Sequence, residues 1–442
     1  MDSRPRVSGY KRGSLMIASR HGLLTAGVVL SLGLGACGGS SQATAVNSTG
    51  AIKIWYSNNA EEVKWGDAVV AAWNANHGDQ KVTAEQIPAG KSSEEVIGAA
   101  ITAGTTPCLV FNTAPAAVPQ FQKQGGLVNL GTFSDGSSYI EQRTGDRASQ
   151  YKSSDGGYYQ MPWKTNPVMI FYNKDIFTKA GLDASSPPLK TYDQFLSTAQ
   201  AVVAKGGAKA AIWPAPSSEF YQPWFDFYPL FIAQSKGKQL VEKGQPQFNN
   251  ADGLLVANFW KELYAKGLAP KETAQGDAFA TGQSAMAIVG PWAIAVYTGK
   301  VNWGVVPVPT KDGMDLASIH TFSDEKSIGM YSSCKSRGTA WEFLKFATSK
   351  DSDGKLLDLT GQMPMRTDVP TAFASYFASH AEYKLFADQA ARTVEVPNVP
   401  NSVEMWQDFR AAYSKSVIFG NQSIDAGFKG AADQIKTLVS QP

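Results

Sequence analysis

The side chains that carry out covalent chemistry are sparse in this sequence and poorly spaced for it. Its four histidines, His21, His77, His320 and His380, stand isolated, without the spacing of zinc ligands. No Gly-x-Ser-x-Gly elbow lifts a serine onto a strand-to-helix turn, and no glycine-rich loop follows a strand to cradle phosphate. Paired carboxylates of the glycosidase kind meet only in three dimensions, so a secreted glycoside hydrolase stays as a distant alternative. What the spacing does offer is a surface. In FATGQSAMAIVGPWAI, residues 279–294, an apolar strand pattern ends in Gly290-Pro291-Trp292, and the turn delivers a flat apolar ring in place of a nucleophile.

Length and composition bound the scaffold that must position such a ring. The 442 residues allow about two or three domains, and 43% hydrophobic with 18% charged residues describe a chain able to bury a sizeable core. Residues 1–36 hold five basic side chains, Arg4, Arg6, Lys11, Arg12 and Arg20, against the single acid Asp2. Subtracting these from 40 and 38 leaves 35 and 37, a near-neutral remainder that recommends no nucleic-acid partner.

The basic start reads as an export signal. An apolar run of 14 residues, 23–36, follows it, short for a bilayer span and suited to the core of a signal peptide. The run ends in Leu34-Gly35-Ala36-Cys37, which resembles the lipobox of bacterial, actinobacterial-type lipoproteins; the resemblance implies that residues 1–36 are removed and Cys37 takes a lipid. Residues 19–24 look like a twin-arginine signal with His21 in place of the second arginine, which leaves both the Sec and the Tat route open. Residues 37–50, rich in Gly, Ser, Ala and Thr, read as a flexible tether.

From Ala51 onward strand and helix patterns alternate. AIKIWYS reads as a strand, and EEVKWGDAVVAAWNANH as an amphipathic helix with Val63, Val69, Val70 and Trp73 near helical spacing. KVTAEQI is the next strand, and SSEEVIGAAITAG a helix capped by Ser92 or Ser93 with glutamates in its first turn. CLVFN is a buried strand, followed by a helix through Phe121 that stops at Gly125-Gly126. The alternation predicts an α/β sheet layered with helices.

Three runs carry a family resemblance. GGYYQMPWKTNPVMIFYNKDIFTKAGL, residues 156–182, contains Tyr172-Asn173-Lys174-Asp175-Ile176-Phe177, and PPLKTYDQFLSTAQ then opens a helix after a Pro-marked turn. Residues 279–294 place Gly282, Ala285, Met286, Gly290, Pro291 and Trp292 in order. Together with NWGVVPVP, AWEFLKFATS, GQMPMR and the helical tail from Trp406, these runs closely resemble the extracellular solute-binding proteins of carbohydrate ABC importers, the group that includes maltose-binding protein. The resemblance covers nearly all the chain after the tether and rests on the order and spacing of pieces that are weak singly. It departs at Pro107-Cys108-Leu109, where relatives usually have Pro-Asp-Val. It departs again at His320-Thr321-Phe322-Ser323-Asp324, where many have a Gly-Gly pair beside the cleft.

What the resemblance implies is a two-lobed α/β fold of the type II periplasmic-binding-protein (Venus flytrap) class with three interlobe crossings. Lobe one would span 51–164 and 322–362, and lobe two 165–321 and 363–442. It also implies a lipid-anchored monomer on the extracytoplasmic face of the cell membrane. Such a protein captures a sugar by lobe closure and passes it to two permease subunits and their ATPase, with no cofactor, metal or catalytic residue. A glycerophosphodiester is the alternative ligand, since related importers carry those, and Lys164, Lys326 and Arg366 could meet its phosphate.

A sugar presents stacked C–H groups on one face and hydroxyls around its edge, so it needs an aromatic platform ringed by donors and acceptors. Burying about 50 Å² of that face at about 25 cal/mol/Å² contributes about 1 kcal/mol. Trp292 is the expected platform, with a core tryptophan as its alternative, whereas Met286 at mid-strand reads as core. Ligands of α/β sheets gather at strand ends, which nominates Tyr56, Asn58 and Asn59 after the first strand, Asn112 after the third, and Trp163 and Asn166 around the end of the fourth. Asn112 and Asn166 fall where maltose-binding protein has a tryptophan and a sugar-binding glutamate, and Asn58 and Asn59 also suit a plain turn. In EFYQPWFDFYP the expected cleft aromatics are Trp224 and Phe225, then Tyr221. Ser323 and Asp324 lie at the crossing beside the cleft. Arg366 suits a bidentate contact to hydroxyls or phosphate, or simple solvent exposure.

With Cys37 assigned to lipid, Cys108 and Cys334 remain, an even pair in an exported protein, where disulfides persist. In relatives the strand that begins at Cys108 runs toward the cleft and the segment before Cys334 returns beside it, which implies a bridge at the far end. Two buried free thiols are the alternative.

Overall fold

The computed structural model describes residues 46–441 apart from Asn58, Lys91, Ala215 and Pro216. The expected signal peptide, Cys37 and most of the tether lie outside the described residues, as does Asn58. Beyond them, strands Ile52–Tyr56, Val82–Gln86 and Leu109–Thr113 alternate with helices Ala60–Asn76 and Ser93–Ala103, as the pattern predicts. Ser92 caps the second helix by accepting from the Glu95 N–H, and Gly104 ends it in a left-handed conformation. The first helix buries Trp65, Val69 and Trp73, spaced by four residues, in a core shared with Phe343 and Leu344. Burial of each contributes about 1.5–3 kcal/mol. Val63 and Val70 pack at the margin of that core.

Two sheets organise the chain. The first has the strand order Met363–Pro364, Met161–Thr165, Lys326–Met330, Leu109–Thr113, Ile52–Tyr56, Val82–Gln86. Its last three strands are parallel, as crossover helices require, and Lys326–Met330 runs antiparallel to both of its neighbours. The second sheet has the order Trp303–Val306, Met169–Asn173, Ser284–Val289, Ala210–Ile212. Met286 lies opposite Tyr172 in it and is fully buried, the core position expected for it. Strands Met161–Thr165 and Met169–Asn173 are buried at every residue although they belong to different sheets, with only residues 166–168 between them. Among the described residues no helix is long and apolar enough to cross a membrane.

Where the chain passes between the sheets, three segments lie side by side. Thr321–Phe322 pairs in parallel with Thr393–Val394, and the Asn166 and Val168 N–H groups donate to the Ser323 and Phe322 carbonyls at 2.6 and 3.0 Å. Two carboxyl side chains are buried in this ribbon. Glu395 accepts from the Glu325 N–H at 3.0 Å and the Val396 N–H at 2.8 Å, while Glu325 accepts from the Trp163 N–H and the Ser327 hydroxyl. Burial pushes Glu395 up to about 8, against backbone N–H groups and Lys326, which favour the anion. Glu325 is raised well above the carboxylate range by burial and then by the Glu395 charge. Burial likewise pushes Asp226 up to about 7.

These shifts fix the sign of a pH dependence. A carboxyl with a raised pKa keeps a proton in the folded protein that the unfolded chain has lost. The stability it contributes is therefore complete below the ordinary carboxyl pKa and is lost as the pH rises through about 7 to 8. Denaturant melts should show stability falling from about pH 5 to about pH 9, and Glu395→Gln should flatten part of the fall. A parent protein that gains stability over that range would contradict this reading.

At the opposite end of the first sheet, Cys108 and Cys334 form a disulfide with Cα atoms 4.4 Å apart, the pairing expected from the resemblance. The two cysteines flank neighbouring antiparallel strands, and the Tyr331 N–H donates to the Cys108 carbonyl at 3.0 Å.

Candidate ligand-binding site

At the ribbon end of the first sheet, several strand ends converge on one carboxylate. Glu62, in the first turn of helix Ala60–Asn76, is 5% exposed and accepts from Lys164 Nζ, from Gln362 Nε2 at 2.6 Å and from Asn112 Nδ2 at 2.5 Å. Burial alone would raise this carboxyl, but the Lys164 charge and the donors outweigh it and hold the group below the ordinary range. Lys164 is itself buried, with its Nζ 4.6 Å from the centre of the Trp163 ring. Asn166 extends the cluster by donating to Gln362 Oε1 at 3.2 Å. Asn112 and Asp324 have φ of 62° and 37°, left-handed conformations that asparagine and aspartate tolerate better than most side chains. Asp324 forms an ion pair with Lys326 at 2.6 Å. Burial pulls the Lys326 ammonium down, and Asp324 outweighs it, so the group titrates above its ordinary value.

Sequence reasoning does not single out Glu62 or Gln362. Asn59-x-x-Glu62 at a helix start reads as a cap, and Gln362 stands four residues before the more conspicuous Arg366.

The second sheet carries the aromatic surface. Phe225 and Trp292 are partly exposed and meet edge to face, with ring centroids 6.1 Å apart. They line a cavity of about 440 Å³ along strand Ser284–Val289, together with Trp213, Asp277, Phe279 and Met286. Gly290 accounts for the motif that precedes the tryptophan. A Cβ at that position would lie 1.9 Å from the Trp292 ring, so only glycine lets the indole fold back over the strand end. One part of the indole packs against the apolar cores on the second sheet, and the rest stays open.

The other nominated residues make these contacts within the protein. Tyr56 buries its ring in the first core and donates its hydroxyl to Asp67 at 2.5 Å; burial, then Asp67, pushes it up to about 12. Asn59 caps its helix, accepting from the Glu61 and Glu62 N–H groups at 3.0 and 3.2 Å, which is the turn role open to it. Trp163 is 1% exposed, with its ring 4.8 and 5.2 Å from those of Trp65 and Phe111. Trp224 is buried against Phe322 and Trp406, at 5.4 and 5.7 Å, and Tyr221 beside it remains exposed. Ser323 is buried in the ribbon with its hydroxyl 2.7 Å from that of Thr165. Arg366 is neither a free donor nor a solvated surface group. It forks onto Asp368 at 2.8 and 3.0 Å and reaches Asp353 at 3.3 Å, so its donors go to carboxylates. Among the described residues no cluster of three or more His, Cys, Asp or Glu side chains is placed to hold a metal ion.

Comparison with known proteins agrees with this architecture. Residues 68–385 match the family of bacterial extracellular solute-binding proteins. The chain is 26% identical over 350 residues to the diacetylchitobiose-binding protein of Streptomyces coelicolor, covering 75% of this chain and 77% of that protein. It is 24% identical over 352 residues to the maltodextrin-binding protein of Bacillus subtilis, covering 75% and 78%. Among solved structures, the cyclic alpha-maltosyl-1,6-maltose binding protein of Arthrobacter globiformis matches with a TM-score of 0.75 at 20% identity, over 89% of this chain and 100% of that one. The GacH receptor of Streptomyces glaucescens matches with a TM-score of 0.71 at 22% identity, over 89% and 99%. The fold is therefore the two-lobed type II arrangement. The matched span takes in the strand ends at Asn112 and Asn166 and the turn at Trp292, and the chain belongs to the bacterial extracellular solute-binding proteins.

Proposed function

We propose that this protein captures a neutral sugar or oligosaccharide between its lobes and delivers it to an ABC importer, as a carrier and not an enzyme. The observation that carries the reading is the open part of the Trp292 ring, folded over Gly290 and facing a cavity of about 440 Å³ with Phe225 on its wall. Ligands such as diacetylchitobiose and maltodextrin, for which the relatives are named, present the faces that such a ring covers. Charge favours a neutral ligand over a glycerophosphodiester. Lys164 is paired with Glu62, Lys326 with Asp324, and Arg366 with Asp368 and Asp353, so the cations that could meet a phosphate are already neutralised.

The proposed contacts are Asn112 and Asp324 in lobe one, Asn166 at the crossing that follows strand Met161–Thr165, and Trp292 and Phe225 in lobe two, with Tyr221 at the margin. Lobe one would span 51–164 and 322–362, and lobe two 165–321 and 363–442, through three crossings; the short strand Met363–Pro364, just past the last of these bounds, pairs with the first sheet. A ligand that touches both lobes favours the closed state by its differential contacts. Moving a 1:99 population to 99:1 takes about 5.5 kcal/mol of such preference, within reach of one platform and several hydrogen bonds of about 1 kcal/mol each. A lipid on Cys37 would hold the monomer at the outer face of the membrane, its sole membrane contact, within reach of two permease subunits and their ATPase.

A thermal-shift screen tests this reading, because a ligand that binds the native state raises the melting temperature. Maltotriose, N,N′-diacetylchitobiose or a galactooligosaccharide should raise it, and glycerophosphodiesters should leave it unchanged; the reverse pattern would replace the sugar with a phosphodiester. Trp292→Ala should weaken saccharide binding by about 1–3 kcal/mol while leaving the melting temperature of the free protein close to that of the parent. Unchanged affinity together with a large loss of stability would make Trp292 a core residue.

A further inference from the structure

Strand Ala210–Ile212 stops short of its neighbour in the second sheet. Ile212 pairs in parallel with Met286, so Trp213 leaves the sheet level with Ala287, while strand Ser284–Val289 runs on to its end. Pro214 follows, and the residue before a proline favours extended backbone, so the tryptophan continues the line of its strand. Trp213 is half-buried and belongs to none of the buried cores among the described residues. It lines the same cavity of about 440 Å³ as Trp292 and Phe225. Its indole N–H donates to the Glu272 carbonyl at 2.8 Å, which fixes the ring against the loop that follows helix Ala251–Ala265. Asp277 secures the other end of that loop by accepting from the Phe279 and Ala280 N–H groups at 2.9 Å each. With its one polar atom satisfied by the loop, the indole offers the cavity an apolar surface alone.

The first platform sits at a different level. The Trp292 ring folds over Gly290, where a Cβ would lie 1.9 Å from it, and Phe225 meets that ring edge to face. Ala287, level with Trp213, stands three residues earlier, about 10 Å along the strand at a rise of about 3.3 Å per residue. We propose that Trp213 is a specificity-determining residue, a second platform that covers a second sugar unit and makes the site prefer a disaccharide or longer chain over a single sugar. This rests on the saccharide reading above and deepens it. The volume agrees, since about 440 Å³ lies in the range of about 300–1,000 Å³ that holds drug-sized ligands, a class nearer a disaccharide than one sugar ring.

Crystals of the parent grown with N,N′-diacetylchitobiose and with maltotriose test the placement. The expected structure has one sugar unit stacked on Trp292 and another on Trp213. A saccharide on Trp292 with Trp213 bare, or a single unit touching both indoles, overturns the inference and leaves the saccharide reading standing. Titration then separates a platform from a structural prop. In the parent, N,N′-diacetylchitobiose or maltotriose should bind about 10-fold or more tightly than its own monosaccharide, N-acetylglucosamine or glucose. Trp213→Ala should remove most of that preference without weakening the monosaccharide, whereas loss of support for Trp292 would weaken both. Trp213→Phe, which keeps a flat face and loses the N–H, should restore most of the preference. An unchanged preference in a folded Trp213→Ala overturns the role assigned to Trp213, and if that variant does not fold, the crystal structure of the parent still decides. If the parent binds none of these sugars, the saccharide reading fails and this inference falls with it.

Discussion

Asp353→Ala should cost this protein about 3–5 kcal/mol of stability, because it strands a buried guanidinium. Arg143 is 4% and Asp353 0% exposed at the side chain, and the arginine holds the carboxylate with both nitrogens, at 2.6 and 2.9 Å. The same guanidinium donates to the Thr348 carbonyl at 2.6 Å, and Arg366 reaches Asp353 from the other side at 3.3 Å. Burial raises the Asp353 pKa despite the two arginines, the sign of a pair whose desolvation is large. Removing the carboxylate leaves Arg143 without water and without its counter-charge, and an unpaired buried charge costs more than the pair contributed. The exposed pair Lys429–Asp433, by contrast, can be cut at the aspartate with the parent's stability retained. Guanidinium-chloride unfolding of the three proteins checks this. A midpoint for Asp353→Ala equal to that of the parent would show that the site relaxes or admits water.

The double substitution Cys108→Ser, Cys334→Ser should lose about 2–4 kcal/mol. The bridge closes a loop of 226 residues, for which the chain-entropy relation gives about 5 kcal/mol, and measured values usually fall short of that relation. Its position separates stability from function. Cys108 precedes the strand Leu109–Thr113 and Asn112 lies near that strand's end, so the bridge is at the far end of the sheet from the Glu62 cluster. Ligand affinity should therefore match the parent at temperatures where both proteins are folded. A variant that keeps full stability would mean that neighbouring strands alone hold the two segments in register.

How far the sequence carries the structure can be followed residue by residue. Helix Ser93–Ala103 is legible to within one residue of its cap, because Ser92, the first-turn glutamates and Gly104 are local signals whose physics acts within a few residues. The strands were legible from apolar runs, and the Gly290-Pro291-Trp292 turn from its own spacing. Trp163 and Trp224, which sequence reasoning nominates for the site, lie in the cores, since an aromatic near a strand end looks the same in sequence whether its ring faces a cleft or Trp65 and Trp406. Arg366 was read by its charge, and its partner Asp353 lies 13 residues away on a different element. Glu62 was not legible at all. Its partners Lys164 and Gln362 are 102 and 300 residues distant, and nothing local distinguishes a carboxylate that caps a helix from one that gathers three strand ends.

The central claim is that a saccharide closes the lobes against Trp292 and that phosphate chemistry has no place in the site. Isothermal titration of the parent and of Trp292→Ala with maltotriose, N,N′-diacetylchitobiose and sn-glycerol 3-phosphate tests it most directly. The expected result is saturable one-to-one binding of a saccharide by the parent, about 5- to 150-fold weaker in the variant, with no heat from glycerol 3-phosphate in either. Tight binding of glycerol 3-phosphate, or saccharide binding that is indifferent to Trp292, would contradict it.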